Sequence, residues 1–184
     1  MDKVRVGIVG CGGFTRYRLG NLAKVKEAEV VALADPSADQ IKITKEAHLH
    51  LSEVPEFADY KQMIASVKPD AIMIATPHTQ HVEQILAGLE AGCHVCCEKP
   101  MVTSVEHAMQ VIAARDKAKK VGMVSYQRHF QSEFRYIRER IASGKAGDVW
   151  YISAFNAQGW LHGTKGTWRV NPPHPTIPTR TLSI

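Results

Sequence analysis

Val4-Arg5-Val6-Gly7-Ile8-Val9-Gly10-Cys11-Gly12-Gly13-Phe14-Thr15 decides the fold. A run rich in β-branched apolar residues, the mark of a buried strand, empties into a cluster of glycines, and a helical pattern follows. A backbone that turns sharply after a strand, approaches without Cβ atoms and aims helix N-terminal N–H groups outward suits a diphosphate. Gly10 and Gly12 supply the turn and the close approach, and Gly13 and Phe14 complete the candidate dinucleotide-binding turn. The third glycine position of the G-x-G-x-x-G pattern is Thr15. That departure is expected to loosen the packing of the helix on the strand. By itself a glycine turn is a generic signal, because such turns also arise for purely structural reasons.

Asp35 makes the signal specific, since it stands at the end of the next strand pattern. A carboxylate there accepts hydrogen bonds from both hydroxyls of an adenosine ribose and repels a 2′-phosphate, so NAD is favoured over NADP. The bland reading of Asp35-Pro36-Ser37 is a simple turn that starts a helix.

Further out, apolar runs of strand length alternate with segments of helical period, which argues for βαβ units and a parallel sheet covered on both faces. The expected strands are Val4 to Val9, Glu29 to Ala34, Ala71 to Ala75, His94 to Cys97 and Val121 to Ser125, with a weak one near His48 to Leu51. Val82, Ile85, Leu86 and Leu89 form a helical stripe, with Thr79 placed as N-cap and Gly92 as the stop. Thr103-Ser104-Val105-Glu106 reads as a capping box opening a helix whose stripe is Val105, Ala108, Met109 and Ile112. Phe130, Phe134, Ile137 and Ile141 share one face of a further helix ending at Gly144, after which Val149 to Gln158 reads as a strand. The expected architecture is α/β: a Rossmann doubly wound parallel sheet over residues 1–125, followed by an incomplete second α+β domain over 126–171. Residues 172–184, where Pro172, Pro173, Pro175 and Pro178 exclude helix and central strand, form an irregular tail.

Bulk properties narrow the class. With 184 residues the chain holds one substantial core, and 45% hydrophobic with 22% charged residues is an ordinary globular composition. The net charge of +5 comes from Lys and Arg scattered along the chain, so a nucleic-acid partner is not expected. No stretch is long and apolar enough to span a bilayer, and Met1-Asp2-Lys3-Val4 runs straight into a strand, so no membrane association and a cytoplasmic location are expected. Cys93 and Cys96 have the spacing of a metal or redox pair, but no second pair accompanies them. They read as strand residues, with no metal site and no disulfide expected.

Thr76-Pro77-His78, then His81, then Glu98-Lys99-Pro100, and later Tyr126-Gln127-Arg128 and Trp168-Arg169 complete a pattern. Together with the glycine turn, these residues resemble the glucose-fructose oxidoreductase, inositol dehydrogenase and MocA-type family over residues 3–171. The Glu-Lys-Pro triplet is the specific part of the likeness. The resemblance implies an NAD(P)-dependent dehydrogenase moving a hydride between nicotinamide and a sugar, polyol or related hydroxy compound. It implies that Lys99 contacts the reacting hydroxyl and takes part in proton transfer, with Glu98 as its partner and Pro100, through a candidate cis bond, aiming it. Thr76, Pro77 and His81 would lie near the nicotinamide half of the cofactor, and Arg128 and Trp168 are candidates for cofactor or substrate contact. The position of Lys99 has an independent rationale, because the carboxyl end of a parallel strand faces the crevice where ligands bind and partial burial there suits proton exchange. Taken alone, Glu98-Lys99-Pro100 is a solvated strand end and His81 a capped surface residue. His48, His50, His94, His107 and His129 show no ligand spacing.

In the family the substrate domain continues into a glycine-rich turn and a helix carrying an Asp and a His. Asn171-Pro172-Pro173-His174-Pro175 has no such helix, which leads to the expectation of a truncated or frame-shifted chain that binds dinucleotide and turns over slowly or not at all. Trp150, Ile152 and Phe155 are expected to present an unpaired apolar edge that invites self-association, including a homo-oligomer. Two competing readings are a non-catalytic NAD-binding module or sensor, which would survive Lys99→Met, and a methyltransferase, which Glu98-Lys99-Pro100 and the sixth strand argue against.

Overall fold

The computed structural model describes residues 2–155. The chain divides after Ser125 into two compact units.

The first unit alternates strands and helices: β1 Val4–Val9, α1 Gly13–Leu22, β2 Ala28–Ala34, α2 Ala38–Ala47, β3 Glu56–Phe57, α3 Tyr60–Val67, β4 Ala71–Ile74, α4 His81–Glu90, β5 His94–Cys97, α5 Val105–Ala118 and β6 Gly122–Val124. The strands form one parallel sheet in the order β3-β2-β1-β4-β5-β6. The order reverses between β1 and β4, so the chain winds first to one side of β1 and then to the other, and a crevice opens at that switch point.

Strand alternation builds two cores. Val6, Ile8 and Leu33 project to one face and pack with Leu19 of α1, Ile41 of α2 and Leu51. Val9, Ala32 and Ala34, their odd-even counterparts, project to the other and join Met63, Ile72, Ile74, Ile85, Leu89 and Val95. Because both faces are covered, the strands read as nearly continuous apolar runs. Ile8, Leu33, Ile72 and Ile74 are wholly buried, and each such side chain stabilises the fold by roughly 1.5–3 kcal/mol relative to an exposed one.

Five strands fall where the sequence puts them, to within one residue at each end. The weak strand does not: Leu49–Leu51 is a 3-10 turn that buries Leu51, and the edge strand is Glu56–Phe57, paired with Leu33 and Ala34. Two residues are too short to show alternation. Thr79 is not an N-cap, because His78–Gln80 is a 3-10 turn and α4 opens one residue later, behind Gln80. On α5 the cap is Ser104, whose hydroxyl accepts from His107 N at 3.1 Å, so the box expected from Thr103 is shifted by one. The stripe shifts with it. Val111 is the buried residue, with Ala114 and Ala118 packed inward, whereas Val105, Met109 and Ile112 are exposed.

In the second unit, Gln127–Phe130 is a 3-10 turn and α6 spans Ser132–Ala142, so Phe130 stands outside the helix expected to carry it. Residues 149–155 form no strand, and Trp150, Ile152 and Phe155 are exposed. A strand needs a neighbour to satisfy its amides and carbonyls, and none pairs with this stretch among the described residues. Positions 156–158 of that expected strand, Trp168, Arg169 and the proline-rich tail lie outside the described residues.

Candidate functional site

Gly10, Asp35, Thr76 and Glu98 each follow a strand of the parallel sheet directly or by one residue, so all stand at its carboxyl edge. At the turn, Gly10 N donates to Ala34 O at 2.8 Å with φ at +93°. A Cβ there would lie 2.9 Å from Ala75 O and from Thr76 Cγ2, so both the backbone and its neighbours demand glycine. Gly12 caps α1 with an ordinary φ of −72°, and among the described residues a Cβ on it would meet no atom within 4 Å. Among the described residues nothing requires glycine at this helix N-terminus, and no side chain caps the first N–H groups. A cradle that only a Cβ would fill, lined by unclaimed amides, fits a diphosphate.

Thr15 does the opposite of what its departure from the glycine pattern suggests. It is wholly buried, and its hydroxyl donates to Gly10 O at 2.6 Å, so it clasps the turn to the helix instead of loosening it. Cys11, also buried, donates its N–H to Asp35 Oδ2 at 2.8 Å, and Ser37 N donates to Asp35 Oδ1 at 2.8 Å. Each carboxylate oxygen keeps a free lone pair, which fits the two hydroxyls of a ribose. Burial first, then the charge of Asp35, pushes the Cys11 thiol from 9.0 up to about 12, with Arg16 opposing. Arg16 Nη1 and Thr44 Oγ1 donate to Cys11 O, both at 2.9 Å, closing the turn from behind.

On the other side of the switch point, His81 is wholly buried, not the surface residue of its bland reading. Its Nδ1 meets Pro100 O at 2.9 Å and its Nε2 meets Thr76 O at 3.0 Å, so one ring ties the loop after β4 to the loop after β5. Thr76 Oγ1 donates to the buried Gln84 on α4, and Pro77 is half-buried beside it. Gln84 escaped the sequence reading, although a polar residue inside the stripe of Val82, Ile85, Leu86 and Leu89 was the available signal.

Glu98 is 8% exposed, and Arg18 of α1 donates to its Oε1 from Nε at 3.2 Å and Nη2 at 2.9 Å. The same guanidinium lies 5.1 Å from the centroid of the Phe14 ring. Lys99 is exposed, with no hydrogen bond or ion pair among the described residues, so the partial burial expected of it is absent. Glu98 is buried and the next residue, Lys99, is exposed. The Lys99-Pro100 bond is cis. Arg18 carries little signal in the sequence: its spacing of four from Phe14 on one helix is visible, its partner eighty residues away is not.

Arg128 belongs to the second unit, where its guanidinium lies 5.8 Å from the Phe134 ring centroid. Cys93 and Cys97 are buried, which raises both thiols, and Cys96 lies 3.5 Å from Ser125 Oγ. Among the described residues no group of three His, Cys, Asp or Glu could hold a metal ion, and no helix is long and apolar enough to cross a membrane. A cavity of about 930 Å³ lined by Ile64, Lys68, Leu86 and His94 opens at the amino ends of β4 and β5, away from the carboxyl edge.

A doubly wound sheet with this turn and this carboxylate defines a dinucleotide-binding protein. The family model for Gfo/Idh/MocA proteins, an oxidoreductase family with an NAD-binding Rossmann fold, matches residues 4–126. D-glucoside 3-dehydrogenase of Escherichia coli is 29% identical over 154 residues, 83% of this chain and 43% of the relative. Inositol 2-dehydrogenase 3 of Saccharopolyspora erythraea is 31% identical over 78% of this chain and 42% of its own length. The crystal structure of scyllo-inositol dehydrogenase from Lactobacillus casei with bound cofactor NAD(H) and scyllo-inositol matches with a TM-score of 0.73 at 26% identity, covering 80% of this chain and 43% of that one. The chain therefore belongs to the Gfo/Idh/MocA family of NAD-binding oxidoreductases, as its Thr76-Pro77-His78 and Glu98-Lys99-Pro100 motifs lead one to expect. It spans less than half the length of these relatives.

Proposed function

We propose that this chain supplies the cofactor-holding part of a dehydrogenase that exchanges hydride between NAD and a carbinol of a sugar or polyol. The observation that carries the reading is Gly12, a glycine that neither its backbone angle nor any neighbour among the described residues requires, at a helix N-terminus those residues leave uncapped. Gly10, Gly12, Gly13 and Phe14 hold the diphosphate, Asp35 takes the ribose hydroxyls, and Thr76, Pro77 and Glu98 border the nicotinamide half, with His81 fixing the loops between them. NAD bound there supplies the hydride acceptor or donor. Lys99 Nζ, free of any intramolecular partner among the described residues, exchanges a proton with the substrate hydroxyl. Relatives named for D-glucosides and inositols support a polyhydroxylated substrate. Residues from 126 onward begin the part that selects it.

Calorimetric titration tests the cofactor assignment. NADH is expected to bind, and NADPH at least about tenfold more weakly because Asp35 repels the 2′-phosphate. Equal affinities, or no binding of either, would overturn it. Lys99→Met is expected to keep NADH affinity within about twofold, since Lys99 is assigned to the substrate hydroxyl and not to the cofactor; a loss of about tenfold would contradict that assignment.

A further inference from the structure

The ion pair between α1 and the end of β5 is built in an unusual way. Arg18 offers a fork of N–H groups, the geometry that grips both oxygens of a carboxylate, yet both donors go to Glu98 Oε1. Oε2 takes no hydrogen bond among the described residues. The two side chains are 25% and 10% exposed, so the pair bears much of its desolvation cost, and an apolar pair of similar size would stabilise the fold as well or better. Stability alone does not account for it. Its location adds the missing element: Glu98 stands at the carboxyl edge beside Lys99, while Arg18 stacks on Phe14 in the first turn of the helix whose N-terminus faces the diphosphate.

We propose that Arg18 is a positioning residue, which by holding Glu98 through Oε1 alone and bracing on Phe14 presents Oε2 to a hydrogen-bond donor on the nicotinamide half of NAD. The inference rests on the cofactor reading above and adds a residue, and a specific oxygen, to it. Arg18 thereby links the two halves of the site, since the helix that grips the diphosphate also sets the carboxylate next to Lys99.

The test compares NADH with ADP, which shares the adenosine diphosphate but lacks the nicotinamide riboside. Both are titrated by calorimetry into the full chain and its variants. Arg18→Met is expected to weaken NADH about tenfold, the worth of one hydrogen bond to a charged group, and to leave ADP within about twofold. Arg18→Lys, which keeps the charge but not the fork or the stacking, is expected to fall between wild type and Arg18→Met, and supplies the ratio if Arg18→Met does not fold. A purely structural role would weaken both ligands together, and that outcome, or no change in either, overturns the proposal. Failure of the wild-type chain to bind ADP or NADH would instead remove the cofactor reading, and this inference with it.

Discussion

At Gly10 a left-handed backbone and the Ala75 carbonyl leave no room for a side chain, whereas at Gly12, two residues on, neither restraint exists. The two glycines therefore separate stability from binding. Gly10→Ala is expected to lower stability by about 2 kcal/mol, the sum of a left-handed alanine and a close backbone contact, read by chemical denaturation. Gly12→Val is expected to cost about 1 kcal/mol or less, yet to weaken NADH at least about a hundredfold, because its methyl groups occupy the diphosphate cradle. A Gly12→Val chain that binds NADH normally would refute the cradle. Single residues were the most legible scale in the sequence where a role is local, as with Gly10, Gly12 and Asp35. They were illegible where the role depends on a remote partner. Nothing near Arg18 announces Glu98, and nothing near His81 announces that its ring bridges the Thr76 and Pro100 carbonyl oxygens, which belong to two different loops.

Elements followed the apolar period wherever burial was two-sided. His94–Cys97 lies between β4 and β6 and was readable to the residue; Glu56–Phe57, held by β2 alone, left no periodic trace. The stripe of α5 misled for the opposite reason: small Ala114 and Ala118 pack inward while the larger Met109 and Ile112 face out, so residue size pointed to the wrong side. The fit of α4 on the sheet gives an element-scale prediction. Alanine is the better helix former by about 1 kcal/mol. At Gly88, however, an added Cβ would collide with Ile72 Cδ1, lie 3.1 Å from Ile72 Cγ1 and crowd Val95 Cγ2 at 3.3 Å, and Ile72 is wholly buried. The clash is expected to win, so Gly88→Ala should destabilise by about 1–2 kcal/mol net in urea unfolding. A stabilised variant would mean that α4 can lift from the sheet without cost.

At the scale of the whole molecule, the buried thiols set an alkaline limit. Cys11 holds its proton up to about 12 in the folded chain, while the unfolded chain releases it near 9.0. The folded state thus binds more protons between these values, so its stability is fully present below pH 9 and declines as pH rises towards 12. At about 1.4 kcal/mol for each pH unit in that window, the full loss is on the order of 4 kcal/mol. Cys11→Ala should flatten this decline in unfolding free energies measured between pH 8 and 11; an identical slope in both proteins would contradict it. The Asp35 carboxylate carries a different consequence for the molecule at large. Pinned by the amides of Cys11 and Ser37 before any nucleotide arrives, it has surrendered its rotational freedom at the folding step, so the adenosine end meets a rigid socket. Lys99, untethered, still has that freedom to lose, and a dinucleotide should accordingly seat its adenosine first and freeze the reactive end last.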